Sequence, residues 1–414
     1  MPTKRITSCL AGGQHWQKIA LTFFSSELLQ MWRHLKHQAP GTSERKFVET
    51  LSEISKTSNR CATIDRKLFG LASRQYDHLL YLLNTEINGR ELFKCLACGT
   101  CPLAIHVDGN MKLYRWLSAL GVDVPSLFAD AGIVDTIKFL NFVAKINAAK
   151  IPCGSSSKDS CGSAKYKAGK EDSSHKKALA ETGIVFCSCR HGVLWRAVDM
   201  DKGESYRHIL YLHDFALQQK FNFFCYDVVC KYWPFAKDVG RKLETEDFQK
   251  HTKEMIPFLS RFHGKTHTMF CQLLYGGHWM TGAASTTGET TEQTNSKMSR
   301  YGSTTKHMSN PNRRDHLTDA MIYWNQGKEC GMAKQLAKFY NAALDDSVRY
   351  DKEFEKQKQT WLEETKRQLH EAREKLSKAQ QAMDEIPYKL KKLLQIKSPA
   401  KKLRDFAVVQ SNKL

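Results

Sequence analysis

Two apolar runs that each carry one aspartate most constrain how this chain can fold. The first covers residues 103–107 and leads directly into Asp108, and the second covers residues 221–230 and carries Asp227. Short apolar runs of this kind predict buried strands. An aspartate is costly inside a core, but at the end of a strand it can coordinate Mg²⁺ with water nearby. The alternative is an aspartate that caps an ordinary turn.

The rest of the central sequence alternates between strand-like and helical segments. Residues 183–187 and 193–198 resemble strands, and residues 208–219 resemble a helix. Strands that alternate with helices indicate a mixed α/β layer fold. Residues 14–90 have apolar positions at helical spacing, which predicts a helical N-terminal region, and the Ser-, Lys- and Gly-rich residues 153–177 predict an exposed connection.

A seven-residue repeat of large apolar side chains marks the C-terminal region. It consists of Leu362, Leu369, Leu376, Met383 and Leu390, and Pro387 interrupts its later part. This periodicity predicts a coiled coil, through which the chain would associate with itself. The alternative is one long amphipathic helix that packs on its own domain.

The charge of the chain favours a polyanionic partner. Lys and Arg number 63 against 43 Asp and Glu, a formal net charge of +20. DNA is therefore the expected partner, ahead of an anionic membrane surface. No apolar stretch is long enough to span a membrane, so an intracellular, soluble protein is expected. Basic residues near the C-terminus could contact phosphates or direct nuclear import, or form a solvated end: Lys397, Lys401, Lys402 and Arg404.

The thirteen cysteines favour metal binding or buried thiols over a disulfide framework. Cys95, Cys98 and Cys101 are spaced closely enough for several thiolates to reach one Zn²⁺ ion, but a structural zinc site normally has four ligands. A distant residue must therefore complete the site. The candidates form a second cluster, which contains Cys187, Cys189 and His191.

Two further groups have spacings that suit metal ligands. His263, His267 and Cys271 recur every four residues, which on a helix would place them along one face. A half-buried helix face is the alternative. Glu289 and Glu292 follow a loop of small residues, and their spacing of three puts them on one helical turn. They could equally be the acids that favour an ordinary helix N-terminus.

Taken in order, these segments resemble the Kyakuja-Dileera-Zisupton transposases over about residues 90–325. The matching segments are Cys95-Leu-Ala-Cys98 followed by Val107-Asp108-Gly-Asn-Met-Lys-Leu113; Cys161-Gly-Ser-Ala-Lys-Tyr-Lys-Ala168; Thr182-Gly-Ile-Val-Phe-Cys187-Ser-Cys-Arg-His-Gly192; Asp199-Met-Asp-Lys-Gly-Glu204; Tyr226-Asp227-Val-Val-Cys230-Lys-Tyr232; His263-Gly-Lys-Thr-His267 with Cys271; and Gly288-Glu-Thr-Thr-Glu292-Gln-Thr-Asn-Ser296.

The resemblance implies an RNase H-like core with a metal-dependent nuclease and strand-transfer centre. Asp108 would be the first acid and Asp227 the second, with Mg²⁺ or Mn²⁺ as cofactor. Glu289 and Glu292 both match the position of the third acid, and the similar hAT transposases favour Glu292. The cysteine-rich module often found at the start of the family is not visible in this sequence.

The chain departs from the family pattern around the third acid. Thr287, Thr290, Gln293 and Asn295 stand where Asp, Gly, Arg and Trp are expected. These differences change the surroundings of the acid and leave the acid itself in place. They bear on catalytic competence and not on the fold.

Three functions therefore compete. The first is a DNA transposase or its inactive relict, and the second is a non-catalytic DNA-binding or scaffold protein on the same fold. The third is a zinc-stabilised interaction protein with a basic tail used for localisation to the nucleus. The predicted domains are a helical region at 1–90, an RNase H-like core at 91–330, and a coiled coil with a basic tail at 331–414.

Overall fold

The protein was studied as a computed structural model, which divides the chain into two compact units, residues 1–332 and 333–414. The predicted three-domain division stays a prediction. The predicted connection at 153–177 and the basic residues Lys397, Lys401, Lys402 and Arg404 lie outside the described residues. The structure describes residues 23–60, 64–119, 124–148, 178–201, 203–243, 246–277, 280–283 and 289–384.

Three helices form the described part of the N-terminal region, as predicted. They are α1 (Ser26–Gln38), α2 (Glu44–Thr57) and α3 (Arg66–Leu82). A serine or aspartate accepts a backbone N–H bond at the start of each helix, and such caps satisfy donors that the helix itself leaves free. The buried side chains that join the helices are Leu29, Trp32, Phe47, Val48 and Phe69.

A five-stranded mixed sheet forms the centre of the first unit, in the order β5-β4-β1-β6-β7. The strand β1 is antiparallel to β4, and β4 is antiparallel to β5, whereas β1 is parallel to β6 and β6 to β7. Every residue of β4 is buried, which agrees with its largely apolar sequence, interrupted only by Ser188. The strands are β1 (Ala104–Asn110), β4 (Gly183–Cys189), β5 (Leu194–Met200), β6 (Phe223–Tyr226) and β7 (Ile256–Phe258).

Two predicted strand ends were wrong. Asp108 does not end β1, because the strand continues to Asn110 while it pairs with β4. The second strand stops at Tyr226, and α6 (Val229–Leu243) already begins at Val229. The reason is a change of period, since Val229, Tyr232, Trp233, Ala236 and Val239 bury one face of a helix. Asp227 therefore lies in the turn between strand and helix.

The other elements surround this sheet. The helix predicted at 208–219 is confirmed as α5 (Tyr206–Gln218). Short elements are β2 (Arg115–Trp116), β3 (Leu179–Glu181), α4 (Thr136–Ala148), α7 (Glu246–Lys253), α8 (Arg261–Gly264), α9 (Met269–Tyr275), α10 (Glu289–Ser299) and α11 (Gly302–Thr305).

The last helix, α12 (Asn310–Asp384), contributes to the core at its start and is exposed further along. Leu317, Ala320 and Met321 pack with Ile184 and Phe186 of β4. No described residue from 333 to 384 is buried, and the heptad leucines Leu362 and Leu369 are 37% and 41% exposed. The long C-terminal helix is thus confirmed, whereas its association with a partner is not shown. None of the described helices is both long and apolar enough to span a membrane.

A buried network of charged side chains joins α1 and α3 to α12. Asp319 of α12 accepts a hydrogen bond from Arg33 on Oδ1 (2.8 Å) and one from His37 on Oδ2 (2.6 Å). The Nζ atom of Lys36 lies 3.2 Å from the same Oδ2. Lys36 also pairs with Asp77 of α3. Although burial alone would raise the pKa of Asp319, the charges around it hold that pKa well below its usual value. The carboxylate is therefore the centre of the contact between these helices.

We predict that Asp319→Asn lowers the free energy of unfolding by about 3–5 kcal/mol, because it leaves two buried cations with one carboxylate between them. Chemical denaturation measures the loss. Glu49→Gln is the control, since Glu49 pairs with Lys46 on the surface of α2, where an ion pair contributes about 0–1 kcal/mol. Equal losses in the two variants would contradict the prediction.

Candidate active site and metal-binding clusters

The two predicted aspartates follow paired residues of two neighbouring parallel strands. Val107 pairs with Tyr226 in the register of β1 and β6, so Asp108 of β1 and Asp227, the first residue after β6, each come directly after this pair. Both line one small cleft between the sheet, α8 and α10. One oxygen of Asp108 accepts the backbone N–H of Gly109 at 2.8 Å, and the other accepts the side-chain amide of Asn295.

His263 joins the second aspartate to the predicted third acid. Its Nε2 lies 3.3 Å from Asp227 and 3.0 Å from Glu292, and one ligand atom from each of the three residues falls within 4.8 Å of the others. Glu292 reaches the cleft from α10, as predicted. Glu289 begins the same helix, but its side chain lies outside the described part of the structure. The choice between the two glutamates stays a prediction.

Sequence reasoning missed a fourth carboxylate, Glu204. It precedes α5, is nearly buried, and accepts a hydrogen bond from the hydroxyl of Tyr226 at 2.5 Å. A side chain at Gly109 would begin only 2.4 Å from a Glu204 oxygen, so the glycine leaves room for the carboxylate against β1. The signal was available, because Glu204 ends one of the segments that carry the family resemblance and directly precedes a helix.

Burial and mutual repulsion shape the electrostatics of this cleft. Burial, followed by the charges of Asp227, Glu204 and Glu292, raises the pKa of Asp108 well above its usual value. Burial, followed by Glu292 and Glu204, raises the pKa of Asp227 to about 7. A cation bound between such carboxylates would stabilise their ionised forms, because it offsets the repulsion between them. Oxygen donors suit Mg²⁺ or Mn²⁺. The donor set therefore fits a divalent metal ion.

The cysteine cluster that precedes β1 meets the one at the end of β4. Cys95, Cys98, Cys189 and His191 form a compact group that could hold a metal ion. The Nδ1 atom of His191 lies 3.4 Å from the sulfur of Cys95, 3.3 Å from that of Cys98 and 3.9 Å from that of Cys189. In a tetrahedral zinc site, with Zn–S near 2.3 Å and Zn–N near 2.05 Å, such atoms are about 3.6 Å apart.

Two of the cysteines predicted for this group are not part of it. Cys101 is exposed and Cys187 is buried within β4. Neither belongs to a metal-ligand group among the described residues. Cys95 and Cys98 flank a single 3₁₀ turn, which brings their sulfurs together, whereas Cys101 lies beyond that turn.

The prediction that His263, His267 and Cys271 lie along one face of a helix was wrong. The helix α8 ends at Gly264, and Thr268 starts α9 by accepting the N–H of Cys271, so the three residues do not share a helix face. His263 joins the acidic cleft. His267 and Cys271 instead meet Cys230 of α6 in a third group of metal-ligating side chains.

Comparison with known families gave two matches. The model described as Kyakuja-Dileera-Zisupton transposase matches residues 101–325, and the one described as a CxC3-like cysteine cluster associated with KDZ transposases matches residues 8–58. The second match corrects the expectation that this module is not visible, although Cys9 is the only cysteine in that segment. Neither the curated proteins nor the solved structures contained a match.

Proposed function

Because the chain belongs to the Kyakuja-Dileera-Zisupton transposase family, we propose that its acidic cleft is a metal-dependent centre for DNA strand cleavage and transfer. The observation that supports this most is that acids from distant parts of the sequence lie close together. Asp108, Asp227 and Glu292 come from three separate segments and line one cleft, and Glu204 lies close enough for its charge to act on both aspartates. Acids so far apart in sequence have no local reason to meet, and their meeting costs free energy that a bound cation would offset.

We further propose that the sheet is of the RNase H-like kind implied by the family resemblance. Its three antiparallel strands and two parallel strands form one mixed sheet, and the first acid lies on the central strand. The second acid follows the adjacent parallel strand. This arrangement carries both aspartates to the same edge, which is what a shared metal centre needs.

The carboxylates would hold Mg²⁺ or Mn²⁺, and two such ions supply activation of the attacking oxygen and stabilisation of the leaving oxygen. The remaining groups orient the acids. Gly109 and Asn295 fix the two oxygens of Asp108, and Tyr226 fixes Glu204. His263 lies between Asp227 and Glu292 and offsets part of their repulsion when its ring nitrogen donates. No protein side chain needs to form a covalent bond with the DNA.

DNA is the proposed partner and the nucleus the proposed location. The net charge of +20 suits a polyanion, and the attraction would weaken as salt rises because bound DNA releases counterions. The basic residues Lys397, Lys401, Lys402 and Arg404 are proposed phosphate contacts in the tail. Transposase family membership agrees with both proposals.

A second candidate function is DNA binding or scaffolding without catalysis. One contact favours it: the amide of Asn295 occupies an oxygen of Asp108, at a position where the family pattern has Trp. An amide donor at that oxygen competes with a metal ion for the same lone pairs. Measurement of metal binding and of cleavage separates the two candidates.

We predict that the protein nicks DNA when Mg²⁺ or Mn²⁺ is added and that Asp227→Asn reduces the rate by about a hundredfold or more, because it removes a ligand charge worth several kcal/mol. The measurement is the single-turnover cleavage rate. Asp238→Asn is the control, since Asp238 is an exposed residue of α6 that pairs with Arg241. Metal binding that is unchanged by Asp227→Asn would overturn the proposed centre, whereas Asp227-dependent metal binding without cleavage would favour the second candidate.

We also propose that Cys95, Cys98, Cys189 and His191 bind one Zn²⁺ ion. The four donors are the number that a closed structural site requires, and their spacing fits a tetrahedron. The ion would tie the segment before β1 to the turn after β4. These two segments are adjacent in the sheet but about ninety residues apart in the chain.

We predict that Cys95→Ser removes one zinc ion per chain and lowers the thermal unfolding temperature, because three ligands no longer close the site. Metal analysis of the purified protein and a melting curve test this. Cys101→Ser, which changes an exposed thiol outside the group, should leave both values unchanged. A zinc content that is the same in both variants would contradict the assignment.

We propose that the exposed part of α12 forms a coiled coil with a second copy of the chain. Leu362 and Leu369 are partly exposed, and the heptad spacing places them on one stripe. Such a stripe is more stable when buried against another helix than when left in water.

We predict that a chain ending at Gln357 has a smaller mass in solution by light scattering than the full chain. The paired substitutions Leu362→Gln and Leu369→Gln should have the same effect, because they remove apolar area from the seam. Arg367→Gln with Glu374→Gln is the matched control, since these residues lie on the opposite side of the heptad. An unchanged mass for the truncated chain would rule out association through this helix.

A further inference from the structure

The third group of metal-ligating side chains lies beside the acidic cleft and plays no part in the proposed chemistry. It contains Cys230 in the first turn of α6, His267 between α8 and α9, and Cys271 in α9. One ligand atom from each residue falls within 4.8 Å of the others. The sulfur of Cys230 lies 3.6 Å from Nδ1 of His267.

We infer that Cys230, His267 and Cys271 form a second Zn²⁺ site, separate from the one at Cys95. Two thiolates and an imidazole are donors that select zinc over Mg²⁺ or Mn²⁺, which prefer oxygen. The distance from the Cys230 sulfur to the His267 nitrogen equals the value of about 3.6 Å expected across a tetrahedral zinc ion. The three described donors leave one coordination position for a further ligand.

The burial of the group also suits a metal site. Cys271 is 8% exposed, while Cys230 and His267 are half-buried, so the group is accessible to an incoming ion yet shielded on one side. Two of the elements near the ligands are short. The helices α8 and α9 have only four and seven residues, and isolated helices of that length are unstable in water. A metal ion that joins this segment to α6 would add a constraint on its position.

The site would also position two residues of the acidic cleft, and this part of the inference rests on the proposed function. Cys230 follows Asp227 by three residues, and His267 follows His263 by four. An ion between Cys230 and His267 would hold both segments in place. The distance between Asp227 and His263, 3.3 Å in the structure, then depends on the zinc ion.

Metal analysis of the full chain tests the site directly. The unmodified protein should contain two zinc ions per chain, and Cys230→Ser and Cys271→Ser should each contain one. The Cys230→Ser and Cys271→Ser double variant should also contain one, because both cysteines serve the same ion. Cys330→Ser is the matched control, since this thiol is exposed on α12 and should leave two ions. Two ions in folded Cys230→Ser would overturn the inference.

A ligand exchange keeps the test decisive if the serine variants fail to fold. His267→Cys replaces one zinc ligand by another and should still hold two ions, whereas His267→Ala should hold one. A single ion in His267→Cys and two in His267→Ala would contradict the site. The zinc content is measured without DNA cleavage. A protein that holds two zinc ions but cleaves no DNA would therefore count against the proposed catalysis and still support this zinc site.

The positioning role has a separate readout, the affinity of the acidic cleft for Mn²⁺ measured by electron paramagnetic resonance. Cys230→Ser should weaken that affinity by about 10- to 100-fold, as expected when support behind a metal ligand is lost. His267→Cys, which keeps the zinc ion, should retain most of the affinity of the unmodified protein. Equal Mn²⁺ affinities in the unmodified protein and in zinc-depleted Cys230→Ser would refute the positioning role.

Discussion

The repulsion between carboxylates in one buried cleft is the constraint on which the rest of the structure depends. Burial, followed by the charges of Glu204 and Glu292, raises the cost of ionising Asp108 and Asp227. A chain does not gather such groups unless its framework compensates. The framework here is specific: the sheet register sets the two aspartates side by side, and a glycine in β1 makes room for Glu204.

The polar contacts around the cleft complete that compensation. Asn295, Gly109 and Tyr226 each donate to a carboxylate, and His263 lies between two more. Gly109 and Tyr226 lie on the strands β1 and β6, whereas Asn295 and His263 lie on helices. The two cysteine and histidine groups include residues that adjoin the same two strands, Cys95 and Cys98 before β1 and Cys230 after β6. Under the proposed function, the thiols would hold zinc and support the cleft, and the carboxylates would meet DNA.

The resemblance to the transposase family implies three of the residues that line the cleft, Asp108, Asp227 and Glu292, and the departures from its pattern concern the neighbours of Glu292. The acids themselves are present, and three of them meet the shared cleft from the positions that the resemblance implies. The contact from Asn295 to Asp108 is the one change that touches the acids directly. The N-terminal match to a cysteine-cluster module retains a single cysteine, and α1 joins the core through the network of Asp319 instead.

The sequence by itself determined the local elements of this protein and the types of side chain that could ligate a metal ion. Strand and helix periods predicted β1, β4, β5 and α5, and the heptads predicted a long C-terminal helix, because these patterns arise between near neighbours in the chain. The family resemblance added the acids. The predicted first strand ended too early, at Asp108 instead of Asn110, and the predicted second strand ran past Tyr226 to residue 230. The second error arose because a continuous apolar run fits a strand or the first turn of a buried helix equally well.

Only the tertiary structure decided which chemical groups meet. His263 lies in the acidic cleft and not with His267 and Cys271, which group with Cys230 instead. Cys95 and Cys98 group with Cys189 and His191. Glu204 reached the aspartates through its hydrogen bond with Tyr226 of β6 and its packing against Gly109 of β1, which no local spacing indicated. Contacts between residues a hundred positions apart depend on register, strand order and the points where helices end. Those are properties of the packed core as a whole, so no short pattern in the sequence encodes them.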